Sequence, residues 1–246
     1  AGNDNDPLLK EQAKEWMNQD KVLFEENKGQ IKDMKGEPVP FVLFKAEAPG
    51  LNLYITQTGI TYTFLKAEEE EKEREEKEER KEEGKGEQKQ EENITWHWER
   101  IDMKLSGADI KKENIVKEGP SKEHFNFFYP HCPDGIYGVK EYEKITIKNI
   151  YPKIDWVFYN STQKGFKYDF IVHPGAEPKQ IQLVYSSKEK LGITETGSLK
   201  IQTAYGDLSE QAPESFVNGK PLESRFKQVY QNPIHIYGDN GYETCI

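Results

Sequence analysis

Apolar and polar residues alternate with period two over much of the chain. Leu51, Leu53 and Ile55 alternate with Asn52, Tyr54 and Thr56, and Ile60, Tyr62 and Phe64 alternate with Thr61, Thr63 and Leu65. Such spacing puts one set on each face of a strand. Thr58-Gly59 lies between the two runs as a turn signal. The pattern predicts a β-hairpin, preceded by a strand at Phe41–Ala46. Strand patterning resumes at Ile94, with Trp96 and Trp98 on one side and Thr95 and His97 on the other. Ile101, Met103 and Leu105 then follow in the opposite phase, which predicts a bulge or bend.

The second half is more regular. Short runs rich in β-branched and aromatic residues occur at Ile145–Ile147, Ile154–Tyr159, Phe166–Val172, Ile181–Tyr185, Leu199–Thr203, Phe216-Val217, Phe226–Tyr230 and Ile234–Tyr237. Turn signals such as Tyr151-Pro152, Pro174-Gly175 and Asn218-Gly219 separate them. A parallel sheet needs crossover connections of about a dozen residues, and those are mostly missing. The fold class expected is all-β: an antiparallel β-sandwich, either one body or two sandwich-like lobes dividing near 120–140. Residues 1–22 form a separate segment ahead of a β-rich domain at 23–246. Within that segment Leu8, Leu9, Ala13, Trp16 and Met17 share a helical face, predicting one short N-terminal helix.

Charge changes the picture at one place. Residues 66–92 hold 14 Glu against 6 Lys and 2 Arg, a net of −6 in a chain whose formal charge is −10. Glu68–Lys72, Glu70–Arg74, Glu73–Lys77 and Glu76–Arg80 each set Glu four residues before a base, the favourable order on a helix. Ala67 is the sole apolar residue there, so the insert contributes no core and is expected as a solvated helix or a disordered loop between two strands. The acidic balance argues against a nucleic-acid partner, because phosphate binding needs a basic face. The longest apolar runs are four residues, far short of the roughly 18 that a membrane-spanning helix needs.

Candidate chemistry is sparse. The chain carries no Walker loop, GxGxxG, GxSxG, HExxH or CxxC, and no cofactor is implied. Asp155 and Asp169 fall in strand candidates. A hydrolase would need them paired across a cleft; otherwise they bond backbone groups or a nearby base. Trp96 and Trp98 are candidates for stacking on sugar rings, weighed against a place in the core. His124, His131 and Cys132 lack zinc spacing. Asn3–Asp6 and Asp239-Asn240-Gly241 with Glu243 offer oxygen ligands but fit no calcium loop. Cys132 and Cys245 are a candidate disulfide in an oxidising compartment, the alternative being two unpaired thiols.

Several strings carry a resemblance. Tyr142–Tyr159 reads YEKITIKNIYPKIDWVFY, Phe166–Tyr185 reads FKYDFIVHPGAEPKQIQLVY and Gly197–Phe216 reads GSLKIQTAYGDLSEQAPESF; FEENKGQ stands at 24–30 and FNFFY at 125–129. In this order they resemble an uncharacterised N-terminal domain of large secreted proteins of Bacteroidota, which carry SBBP (β-propeller) repeats or a gliding-motility-type sorting domain downstream. The match departs from the family pattern at Lys153, where that pattern has Gly, at Asn126-Phe127-Phe128 and at Ser215-Phe216. It also departs in the insert and in the closing strand, which is not evident near Ile246. The chain is therefore expected to be a piece of a longer protein or to end early.

The resemblance implies export, a secreted or cell-surface location and a β-rich fold, and implies no activity. The expected function is a non-enzymatic structural or interaction module. Its partners would be other extracellular proteins or glycans, with downstream domains of the same chain as neighbours. A carbohydrate-binding module and a hydrolase are the alternatives.

Overall fold

The computed structural model describes residues 22–33, 35–48, 50–69, 94–129, 132–161, 165–186, 191–204, 207–228, 234–238 and 243–245. The helix expected at Leu8–Met17 and most of the acidic insert lie outside the described residues.

The first group of strands is β1 (Phe24–Glu26), β2 (Val42–Ala48), β3 (Leu51–Thr56), β4 (Gly59–Glu69) and β5 (Ile94–Leu105). Then come β6 (Ile115–Pro120), β7 (Phe125–Tyr129), β8 (Cys132–Val139), β9 (Glu141–Tyr151), β10 (Ile154–Ser161), β11 (Gly165–Val172) and β12 (Gln182–Ser186). The last are β13 (Leu191–Ile193), β14 (Leu199–Gln202), β15 (Asp207–Glu210), β16 (Glu214–Val217), β17 (Lys220–Leu222), β18 (Ser224–Gln228), β19 (Ile234–Gly238) and β20 (Glu243–Cys245). Two 3-10 turns, Lys112–Asn114 and Pro178–Gln180, are the helical elements among the described residues.

Every named strand pairing is antiparallel. One sheet of fifteen strands runs β17-β16-β20-β11-β10-β9-β1-β2-β3-β4-β5-β12-β19-β18, with β6 also on β9. A flat sheet of that order would hold its ends roughly 60 Å apart, at ~4.8 Å per strand. Yet β17 and β18 are joined by Glu223 alone, which lets Leu222 and Ser224 lie no more than about 7 Å apart. The sheet therefore curls until its two ends meet, and Ser224 Oγ donates to Pro213 O at 2.7 Å beside the join. The sandwich expectation assumed strands divided between two facing sheets. The antiparallel all-β character holds, and the large layer is a single curled sheet.

A three-stranded sheet, β13-β14-β15, follows β12 at one end of the curl and precedes β16 at the other. Its Leu199, Ile201 and Leu208 join the same apolar cluster as Phe24, Phe44, Ile101, Trp156 and Phe170 of the curled sheet. A third, two-stranded sheet, β7-β8, shares no ladder with the other two. Aromatic packing dominates the centre: Trp156 stacks on Phe170 with centroids 5.7 Å apart and meets Phe158 at 4.4 Å. Fully burying such a side chain is worth about 1.5–3 kcal/mol.

Two expectations are corrected. The ladder of β4 and β5 is continuous from Gly59↔Lys104 to Glu69↔Ile94, with no bulge between Trp98 and Ile101. Its inward residues are Glu99, Ile101, Met103 and Leu105, so Trp98 faces away from the core and is 49% exposed. The phase change in the sequence is an outward tryptophan, not a bend. The insert's first four residues, Lys66 to Glu69, continue β4 in register with Ile94–His97, because the ladder overrides their composition.

Candidate functional site

The FEENKGQ string becomes a self-bonded loop at the end of β1. Asn27 Nδ2 donates to Val39 O at 3.0 Å and Val42 O at 2.8 Å, while its Oδ1 accepts from Gly29 N at 2.9 Å. Gln30, itself buried, accepts from Lys28 N at 2.7 Å and donates to Glu26 O at 2.6 Å and to Glu25 Oε1 at 2.9 Å. Gly29 takes φ +114°, a conformation that other residues rarely adopt. Side chains supply the hydrogen bonds that a strand partner would supply elsewhere. Lys28 Nζ then reaches Gly138 O at 2.9 Å and ties β8 to this loop.

Asp155 has a comparable task. The β9–β10 ladder shifts register between Ile154 and Trp156, and Asn149 takes φ +52° opposite the irregularity. Asp155 closes it: Oδ1 accepts from Asn149 N at 2.8 Å, and Oδ2 from Lys148 Nζ at 2.8 Å and His173 Nε2 at 2.9 Å. Its side chain is 2% exposed. Burial opposes ionisation, but the donors at His173, Lys148 and Asn149 outweigh it and hold the carboxyl below its usual range. A carboxylate so held is a poor proton donor near neutral pH.

Asp169 pairs with Val157 in β10 and therefore shares the outer face of this ladder with Asp155, as a diagonal neighbour about 7 Å away across the strands. Asp155 is bonded by its three donors, one of them the backbone N–H of Asn149. Trp98 stands opposite Leu65, also exposed, while Trp96 pairs with Ala67 in the backbone and its side chain lies outside the described residues. Neighbouring Arg100 is held by Asp102 at 2.9 Å. The Trp, the Asp pair and the two hollows described next do not converge.

One hollow of about 160 Å³ is lined by Glu26, Asn27, Leu43, Phe44, Lys112, Ile115 and Lys117. A second, about 150 Å³, is lined by Leu23, Glu25, Lys45, Glu47 and Glu141. Burial raises the Glu141 carboxyl, with Glu25 and Glu123 adding to it. Ligand pockets usually measure ~300–1,000 Å³, so both are small. Among the described residues, no group of three or more His, Cys, Asp or Glu side chains could hold a metal ion. Cys132 is a free thiol 3.6 Å from Gly135 O. The side chains of Cys245 and His131, the Asn3–Asp6 run and Asp239–Gly241 lie outside the described residues. No helix among the described residues is long and apolar enough to cross a membrane.

Two features are not singled out by sequence patterning. The first is Glu210, buried between Tyr168 and Tyr185. The alternation Leu208-x-Glu210 on a strand was the available signal, because it sets Glu210 on the face of a core leucine. The second is the β7–β8 ribbon. Phe127 and Tyr129 stack at 5.9 Å, with Lys32 Nζ 4.3 Å from the Tyr129 ring. Phe128 and Tyr137 meet edge to face at 5.5 Å and are 68% and 57% exposed, and Phe125 at the start of β7 is also exposed.

These features define an all-β module whose recognisable motifs build its own fold. The chain belongs to the family described as Domain of unknown function (DUF7948), whose family model matches residues 24–244. No curated protein and no solved structure matches it.

Proposed function

We propose that the chain is a non-enzymatic interaction module of a secreted or cell-surface bacterial protein, with the β7–β8 ribbon as its contact for a protein partner. The observation that carries this reading is the exposed aromatic pair of Phe128 and Tyr137, on a ribbon outside the large sheet. Aromatic side chains are enriched at protein interfaces, and grouped exposed ones mark binding surfaces. Export rests on the resemblance of the ordered strings to N-terminal domains of secreted proteins. The internal use of Asn27, Gln30 and Asp155 supports a structural rather than catalytic role for those strings.

Exposed Trp98 favours a second reading, a glycan-binding face on the outer side of β4–β5. One screen separates the two. Wild-type domain, the Phe128→Ser/Tyr137→Ser double variant and Trp98→Ala are tested against arrayed extracellular bacterial proteins and a glycan array. The interaction reading expects a protein ligand lost in the double variant while its melting temperature is unchanged. A glycan signal lost in Trp98→Ala alone gives the second reading. Protein binding unaffected by the double variant overturns the ribbon as the contact.

A further inference from the structure

Glu210 links parts of the fold that the backbone ladders do not. It ends β15 in the small sheet, and its carboxylate is buried. Tyr168 of β11 donates to Oε2 at 2.8 Å and Tyr185 of β12 to Oε1 at 2.5 Å. Seven strands separate β11 from β12 in the curled sheet. One carboxyl group thus ties the small sheet to both flanks of the curl.

We propose that Glu210 is a proton-operated latch: as a neutral carboxyl it holds the small sheet shut between Tyr168 and Tyr185, and loss of its proton loosens β13–β15 before the rest of the domain. Among the described residues, the groups facing it give a new charge no cation. They are the phenols of Tyr168, Tyr185 and, third, Tyr62 of β4. Burial pushes all three well above the usual phenol range, and a charge on Glu210 would push them further, so they remain neutral in either state of Glu210. Glu99, inward on β5, stands opposite Phe64. Lys200 and Asp207 of the small sheet pair with each other at its surface, at 2.9 Å. Burial raises the Glu210 carboxyl, although the hydrogen bonds from Tyr185 and Tyr168 draw it part of the way back. A folded-state value above the unfolded one means that stability from this group is complete at low pH and is lost as pH rises through the folded value.

The small sheet is where the loss is felt first. Its β13 and β15 are the outer strands of a three-stranded sheet that shares no ladder with the curl, and the latch adds to its apolar face in tying it there. Opening would uncover Leu199, Ile201 and Leu208.

The test is amide hydrogen exchange of β13–β15 from about pH 5 to about pH 8, corrected for intrinsic rates, in wild type and Glu210→Gln. The amide has the shape of the neutral acid. Wild type is expected to lose protection about tenfold or more across the range, in β13–β15 ahead of β9–β11, while Glu210→Gln stays flat. Flat protection in wild type, or an equal decline in both proteins, overturns the latch. Should Glu210→Gln fail to fold, Tyr185→Phe decides: it removes a donor that stabilises the anion, so the loosening must move to higher pH. An unmoved midpoint overturns the proposal equally.

Discussion

Nε2 of His173 stands 2.9 Å from Oδ2 of Asp155, and the same oxygen accepts Lys148 Nζ at 2.8 Å. The carboxylate is buried while both partners are half-exposed. A polar cluster of this form anchors a local irregularity: it fixes the bulge at Asn149 and the end of β11 at one point. It also carries a pH signature opposite to that of Glu210. The Asp155 carboxyl is depressed in the folded state, so its stability is present above the unfolded value and is lost as pH falls through the folded one.

Replacing Asp155 by Ala should cost about 3 kcal/mol at neutral pH, because Lys148 loses its partner and Asn149 N its acceptor. Asp155→Asn should cost less. In urea titrations, the gap between wild type and Asp155→Asn should narrow as pH drops below about 4. A gap independent of pH would mean that the ionised form contributes nothing.

Lys153 occupies the position where the resembled family pattern has Gly, and it takes φ +64°. It follows Pro152 in the two-residue loop between the paired Tyr151 and Ile154, and a positive φ after Pro is the signature of a type II turn, which favours Gly. Among the described residues its side chain makes one long hydrogen bond, Nζ to Pro174 O at 3.4 Å. A side chain in the left-handed region costs about 1 kcal/mol, so Lys153→Gly should raise stability by up to about that amount. Thermal unfolding checks it; a lower melting temperature would show that the lysine side chain contributes more than the strain removes.

Much of this fold is legible in the alternation of apolar residues. The hairpin around Thr58-Gly59 forms with Ile55 opposite Ile60, and each short run of the second half falls within or overlaps a strand. Long-range facts are not legible, because local pattern does not encode them. Nothing local distinguishes Glu223 from an ordinary turn residue, yet it joins the two ends of the curl. Trp98 reads as a phase break because pattern alone assumes that tryptophan faces inward. Asp155 and Asp169 are visible as carboxylates in strands, but the donors that decide the role of Asp155 come from a bulge and from the loop after β11. Glu210 sits in a polar string, and only the arrival of two distant tyrosines makes it a core residue.

Gly59 illustrates a constraint that is backbone-made. A Cβ built there would lie 1.9 Å from Met103 O and 2.8 Å from Lys104 Cα, both backbone atoms of β5. Strand glycines mark such close approaches. Gly59→Ala should force the start of the β4–β5 ladder apart and cost about 3 kcal/mol or more. Gly192→Ala is the control, since a Cβ there meets nothing within 4 Å, and it should be neutral or stabilising by up to about 1 kcal/mol. Equal urea midpoints for the two variants would show that β4 and β5 can separate at Gly59 without loss.

Trp98 and Trp156, the tryptophans of the sheet whose side chains are described, should respond in opposite ways. Trp156 is fully buried among Phe158, Tyr168 and Phe170, so Trp156→Ala removes a large ring from a packed centre and should cost about 3–5 kcal/mol. Trp98 lies on the outer face of an unbroken ladder, so Trp98→Ala should change stability by about 0.5 kcal/mol or less. Fluorescence gives an independent reading: Trp98→Ala should remove an acrylamide-quenchable, red-shifted component, and Trp156→Phe a shielded one. If Trp98→Ala destabilises as strongly as Trp156→Ala, then β5 breaks phase after all and the ring belongs to the core. That result would also remove the glycan-binding reading, because a ring that supports the core offers no face to a sugar.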